Sequence, residues 1–344
     1  MSKLLRVGIT HGDINGIGYE LILRTLADPE LREICTPVIF GSARVAQAVQ
    51  RHLHLEPVPF SVVPGAAEAM DGRVNLVDVC RSEDLPLSFG QQTEEALRAE
   101  AAALEAALAA SQDGLIDVLV AAPGHLDNDL ESHALCDFVR QALGSEEPAF
   151  DWVIGDHVRT LVLHPAVAST ELGEGLAKEA LLSDVRKLNA QMRADFRLMR
   201  PRLAVIAEHE WRDGRELLDE GVLAFGPLRA KEFVEAESYR HYDAVLFVGA
   251  EAERRKVLDT LDADDTYGYV SGLPLVLTYP LLPVSYDIAG RGTANVVPFR
   301  TALYAALDTW RNREAYRRAT RHPLPKLWVA RGRDDVKLDL TRDE

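Results

Sequence analysis

Short apolar runs rich in β-branched residues alternate along this chain with longer stretches whose apolar positions recur every three to four residues. The short runs predict strands at Leu5–Thr10, Pro37–Gly41, Val74–Val77, Val118–Ala121, Thr160–Leu163, Leu203–Ala207 and Ala244–Val248. The helical spacing predicts helices at Tyr19–Leu26, Ala43–His52, Thr93–Ala110, Glu131–Leu143, Leu181–Arg193, Pro227–Ala236 and Phe299–Arg313. Alternation of this kind is the mark of βαβ units and a largely parallel sheet, so the expected fold class is α/β. Pro123-Gly124 and Gly272-Leu273-Pro274 break the pattern at two points. Read as crossings between domains, they divide the chain into a discontinuous first α/β domain (1–122 with 275–330), a second α/β domain (123–274) and a charged tail (331–344).

The composition narrows the function classes. The 344 residues carry 54 acidic against 38 basic side chains, a formal net charge of −16. That balance speaks against nucleic acid as a partner, because phosphate backbones are bound by basic faces. Cys35, Cys80 and Cys136 are widely spaced with no CxxC pair, which suits buried thiols in a reducing compartment. No run is long and apolar enough to span a membrane, and the N-terminus enters a strand directly. The expected location is the cytoplasm, with no membrane partner.

The first stretch that carries chemistry is "THGDINGIGYE", Thr10 to Glu20, placed between a strand and a helix. Its Gly12, Gly16 and Gly18 allow a tight turn, and the helix start beyond Asp13 faces whatever lies there. The spacing is not GxGxxG. A structural turn and a ligand loop both remain open readings on these residues alone.

Several motifs together resemble one family. Thr10, Gly12, Asp13, Gly16, Gly18 and Glu20 fit T-x-G-D-x-x-G-I/V-G-x-E, the opening of the 4-hydroxythreonine-4-phosphate dehydrogenases of pyridoxal phosphate biosynthesis. "VLVAAP" (118–123) resembles the strand before that family's P-I-N-K turn, and "SYDIAGRGTA" (285–294), with Gly290 and Gly292, the end of its D-H-G-T-A-x-D-I-A-G-x-G segment. The "FRTALYAALDTWRNREAY" stretch and "HPLPKL" are similar to its C-terminal helix and tail. The resemblance implies an isocitrate/isopropylmalate dehydrogenase-like fold of two α/β domains around a cleft. It also implies a homodimer, NAD(P) as oxidant, and a divalent metal (zinc or magnesium) held by three histidines. The metal would ease deprotonation of a substrate hydroxyl, and the nicotinamide would accept the hydride.

Residue by residue, the resemblance is incomplete. His133 matches the histidine of the substrate motif G-H-T-E, but Ala134 follows it in place of threonine. His164 and His209 match two metal histidines; the third position is Ala250, leaving Glu208, Glu210 and Glu251 as candidates for the missing ligand. The P-I-N-K lysine is Leu126, and a second lysine falls at Asp259, with Lys256 close by. Gly268 stands for an asparagine, Leu277 for a phosphate-binding arginine, and Leu281 and Leu282 for the Asp-His of D-H-G-T-A. Fold-bearing glycines are kept where charge-bearing positions are not. Two function classes follow from that contrast. One is a divergent member, a pseudoenzyme with impaired or lost family activity that binds, assembles or regulates, alongside a small-molecule ligand or an intact paralogue. The other is an active metal- and NAD(P)-dependent oxidoreductase on 4-phosphohydroxythreonine or a less anionic hydroxy acid.

Overall fold

The computed structural model describes residues 4–80, 85–125, 134–163, 174–207, 214–248 and 251–322. Among them, twelve strands form one sheet. In chain order these are β1 Leu5–Thr10, β2 Cys35–Gly41, β3 Phe60–Val63, β4 Val74–Asp78, β5 Val118–Ala121, β6 Phe150–Ile154, β7 Arg159–Leu163, β8 Arg202–Ala207, β9 Leu223–Leu228, β10 Ala244–Val248, β11 Tyr267–Ser271 and β12 Val276–Pro280. The helices are α1 Gly18–Leu26, α2 Leu31–Ile34, α3 Ala43–His52, α4 Glu94–Gln112, α5 Ala134–Ala142, α6 Glu174–Asp195, α7 Gly214–Asp219, α8 Ala230–Glu235, α9 Glu251–Leu258 and α10 Val297–Thr320. The α/β class expected from the pattern is the one observed.

The apolar runs form strands whose successive side chains, on both faces of the sheet, are buried. In β2 all seven residues, Cys35 to Gly41, are buried, the continuous apolar reading of a central parallel strand. Side-chain caps start the helices beside it: Ser42 accepts from the Val45 amide at α3, and Thr93 from the Ala96 amide at α4.

The sheet order is β3-β4-β2-β1-β5-β12-β11-β6-β7-β10-β8-β9. The first six of these strands run parallel. β11 is antiparallel to both β12 and β6, and β6 is antiparallel to β7. β7, β10, β8 and β9 are again mutually parallel. Two reversals of direction on either side of β6, after the one at β11, leave β7 to β9 pointing opposite to β1. The carboxyl ends of the two parallel runs therefore lie at opposite edges of the sheet.

One expectation changes here. The helix expected over Pro227–Ala236 starts at Ala230, because Leu223–Leu228 is the edge strand β9. Proline suits helix starts and edge strands alike, since neither needs its missing amide hydrogen.

Helix α10 closes the fold, packing on β12, β5 and α6. At that seam Arg313 donates to Asp195 at 2.7 and 3.2 Å and to the Tyr269 hydroxyl at 2.8 Å. The Tyr269 hydroxyl donates in turn to Asp195 at 2.6 Å. Arg313 also reaches the carbonyls of Leu273 and Leu275, so this buried pair has its hydrogen bonds made. Among the described residues no helix is long and apolar enough to cross a membrane.

Candidate functional site

The chain leaves β1 toward β2 on one side and returns from α4 into β5 on the other. In a doubly wound sheet such a switch point opens a crevice at the strand carboxyl ends. Three adjacent strands, β1, β5 and β12, deliver a polar side chain there. Asp13 Oδ2 lies 2.7 Å from His125 Nε2 and accepts from the Tyr286 hydroxyl at 2.6 Å. His125 Nε2 and the Tyr286 hydroxyl are themselves 2.9 Å apart.

The cluster is pre-set by its surroundings. Asp13 Oδ1 accepts from the Asn15 amide at 2.6 Å. Glu100, on α4, takes the His125 amide at 2.9 and 3.2 Å, and a Cβ on Gly124 would lie 2.1 Å from its Oε1. Asp13 is fully buried, whereas 18% of the His125 side chain remains exposed. Burial first, then the hydrogen bond to Asp13 and its charge, push the Tyr286 phenol well above its ordinary range. It therefore stays a proton donor at neutral pH. A buried carboxylate is tolerable only with such partners. Tyr286→Phe removes one, and should cost about 1.5–3 kcal/mol, the range for hydrogen bonds to charged groups, in urea unfolding at pH 7. An unchanged midpoint would mean that the phenol contributes nothing to holding Asp13.

The glycine motif turns out to be packing. Gly12 has φ +63°, and a Cβ there would sit 2.0 Å from the Pro123 carbonyl oxygen. On Gly18 it would sit 2.0 Å from the His11 carbonyl oxygen, and on Gly16 it would strike Val284. The amides of Asp13, Gly16 and Ile17 donate to the carbonyls of Pro123, Asp13 and Val284. His11 through Leu23 are all buried. The amides of Asp13, Gly16 and Ile17 are therefore not free to hold a dinucleotide phosphate. Gly290 and Gly292 lie in the turn after Tyr286, with Gly290 against the Phe89 ring.

His11, which sequence reasoning passed over, is fully buried and stacks on Tyr19 with ring centroids 5.1 Å apart. Burial holds its imidazole down at about 4, against the Gly12 carbonyl bond and the Asp13 charge, which both raise it. An ordinary imidazole titrates near 6.5 once unfolded. The unfolded chain therefore binds the extra proton first, so this stability is complete above about pH 6.5 and is lost as pH falls toward 4. The loss should be on the order of 3 kcal/mol. Urea midpoints at pH 7 and pH 4.5 test it, since His11→Gln should lose that part of the acid sensitivity. An identical pH dependence in the variant would contradict it.

The positions implied by the resemblance distribute as follows. Leu126, His133, His164, Glu208, His209, Glu210 and Ala250 lie outside the described residues. The strands that lead to His164, His209 and Ala250, β7, β8 and β10, are direct neighbours in the order β7-β10-β8 and end on one edge. Ala134 opens α5, Glu251 opens α9, and Asp259 follows α9. Gly268, on β11, lies under the Tyr279 ring, where a Cβ would be 2.1 Å from a ring carbon. Leu277 is 0% exposed in β12, between Leu119 of β5 and Val270 of β11. Leu281 and Leu282 are half-buried beyond β12, each packed on a core cluster. Among the described residues no group of three His, Cys, Asp or Glu side chains could hold a metal ion.

Next to the end of β7 is a cavity of about 540 Å³, bounded by α5, β6, β7 and α6. Among the described residues its lining sets three carboxylates, Asp137, Asp151 and Asp184, against the guanidinium of Arg140. Burial raises the Asp184 carboxyl above its usual range. Such a lining repels a phosphate dianion.

His125, Glu100 and Tyr286 were not among the sequence candidates. The usable signal was positional: polar residues directly after strands that meet at a switch point.

Comparison with known proteins completes the picture. The family model described as pyridoxal phosphate biosynthetic protein PdxA matches residues 33–207. The 4-hydroxythreonine-4-phosphate dehydrogenase of Bacteroides thetaiotaomicron is 31% identical, over 99% of this chain and 98% of its own. That of Prosthecochloris aestuarii is 28% identical over 88% of this chain and 97% of its own. The solved 4-hydroxythreonine-4-phosphate dehydrogenase from Klebsiella pneumoniae shares the fold with a TM-score of 0.66 at 18% identity, covering 90% of this chain and 100% of that one.

Proposed function

Because the chain belongs to the PdxA family of pyridoxal phosphate biosynthetic proteins, we propose that it is a divergent member whose dehydrogenase activity is impaired or lost, its fold serving binding, assembly or regulation. The observation that carries this reading is Leu277. The resemblance puts a phosphate-binding arginine there, and the side chain present is sealed in the sheet core. Two neighbouring features agree with it. Tyr279 fills the space above Gly268, where an asparagine is implied, and the nearby cavity is acidic. Charge-assisted hydrogen bonds contribute roughly 1.5–3 kcal/mol each, so losing several weakens phosphate-ester binding by orders of magnitude.

Homodimerisation, a cytoplasmic location, the discontinuous two-domain division and an intact paralogue in the same cell belong to the same proposal. The test is turnover: protein with 4-phosphohydroxythreonine, NAD or NADP and zinc or magnesium, followed by nicotinamide absorbance. No reduction above the protein-free blank is expected. Sustained reduction overturns the proposal.

One observation favours the second reading, an active oxidoreductase on a less anionic hydroxy acid. The strands leading to His164 and His209, and to Glu251 at the start of α9, end side by side. Two imidazoles and a carboxylate form a donor set that suits zinc, although the third imidazole of the family set is absent. A metal held there would make a substrate hydroxyl easier to deprotonate. Zinc retained through gel filtration in wild type but not in a His164→Ala, His209→Ala double variant would favour this reading; equal metal content in both would remove it.

A further inference from the structure

The opposite edge of the first parallel run carries a second cavity, of about 250 Å³, lined by Arg32, Pro59, Phe60, Ser61, Arg73 and Val74. Phe60 opens β3 and Val74 opens β4, so it lies at the amino ends of strands whose carboxyl edge holds Asp13, His125 and Tyr286. It is remote from the cleft positions and does not rest on the proposed function.

Two features set this cavity apart. The first is charge: the whole chain carries −16, yet both charged residues in this lining are arginines. Among the described residues neither has an ion-pair partner, whereas Arg6, on β1, is held by Asp71. Like charges facing one concavity favour an anion between them.

The second is a pre-set frame. Asn75 is fully buried and locks the turn that carries Arg73. Its Oδ1 accepts from the Met70 amide at 2.9 Å, and its Nδ2 donates to the carbonyls of Arg73, Met70 and Pro37 at 2.9, 3.1 and 3.3 Å. Gly72 donates to Thr36 Oγ1 at 3.0 Å and abuts α2, where a Cβ on it would be 3.8 Å from the Arg32 carbonyl oxygen. The turn bearing one arginine is thus seated against the backbone of the other. Ser61 supplies a neutral donor, and Phe60 with Pro59 an apolar wall.

We propose that this cavity binds a small phosphate monoester, its phosphoryl group between Arg32, Arg73 and Ser61 and its organic group against Phe60 and Pro59. Guanidinium forks match phosphate oxygens in pairs, which ammonium groups do not. The volume is below the ~300–1,000 Å³ of pockets that take drug-sized ligands, which suits a compact ester over a dinucleotide.

Phenyl phosphate is the probe, titrated calorimetrically into the full chain at constant ionic strength. Binding in the micromolar to low millimolar range is expected, at least tenfold weaker for Arg32→Gln and for Arg73→Gln, and undetectable for the double variant. Glutamine keeps most of each side-chain stem, and thermal unfolding superimposable on wild type verifies that the variants fold. Should the double variant unfold early, Ser61→Ala, expected to weaken phenyl phosphate severalfold, provides the test. No binding to wild type, or equal binding to wild type and the glutamine double variant, overturns the proposal. Inorganic phosphate binding as tightly as phenyl phosphate overturns the monoester assignment.

Discussion

Leu277→Arg is expected to leave little folded protein at 25 °C. The position is 0% exposed, in a strand paired on both sides and packed in an apolar cluster. Burying an unpaired guanidinium costs several kcal/mol even after relaxation, against a total stability of roughly 5–15 kcal/mol for a typical domain. Circular dichroism with urea unfolding reads the result directly, and Leu277→Met, which keeps volume and polarity, should cost less than about 1.5 kcal/mol. A well-folded, stable Leu277→Arg protein would mean that the side chain reaches solvent or a counter-charge, and the anion site implied by the resemblance would be back in play.

Breaking the α10 seam should cost nearly as much. In Arg313→Leu, Asp195 keeps the Tyr269 hydroxyl and loses its cation while only 3% of its side chain is exposed. Removing one partner of a buried pair typically costs about 3–5 kcal/mol, because the remaining charge is stranded. The double variant Asp195→Leu, Arg313→Leu strands no charge, so it should unfold at a higher urea concentration than Arg313→Leu. Additive losses across the cycle would show that the two side chains do not act as a pair.

These cases also mark how far the pattern of residues reaches. β1, β5 and β10 lie where their apolar runs predict, because a strand buried on both faces needs such a run. β6, β11 and β12 were not legible. They form the antiparallel stretch that joins the two parallel runs, with Gly268 inside β11 and Pro274 just ahead of β12, residues that read as turns when taken locally. The Asp13 motif stood out, but its meaning did not. Its partners His125 and Tyr286 are 112 and 273 residues away, and only the sheet order brings them together. Leu277 was legible as a missing charge, while the reason it is leucine, a central place between β5 and β11, belongs to the tertiary structure.

We propose that a dehydrogenase fold persists here without the chemistry of its relatives. A calorimetric titration of the full chain with NAD and with NADP, zinc or magnesium present, tests it without any choice of substrate. No detectable heat up to millimolar cofactor is the expected result, since the amides of Asp13, Gly16 and Ile17 in the glycine loop are already bonded within the protein. Clear micromolar binding of either dinucleotide would contradict it, and would call for a screen of hydroxy-acid substrates beginning with 4-phosphohydroxythreonine.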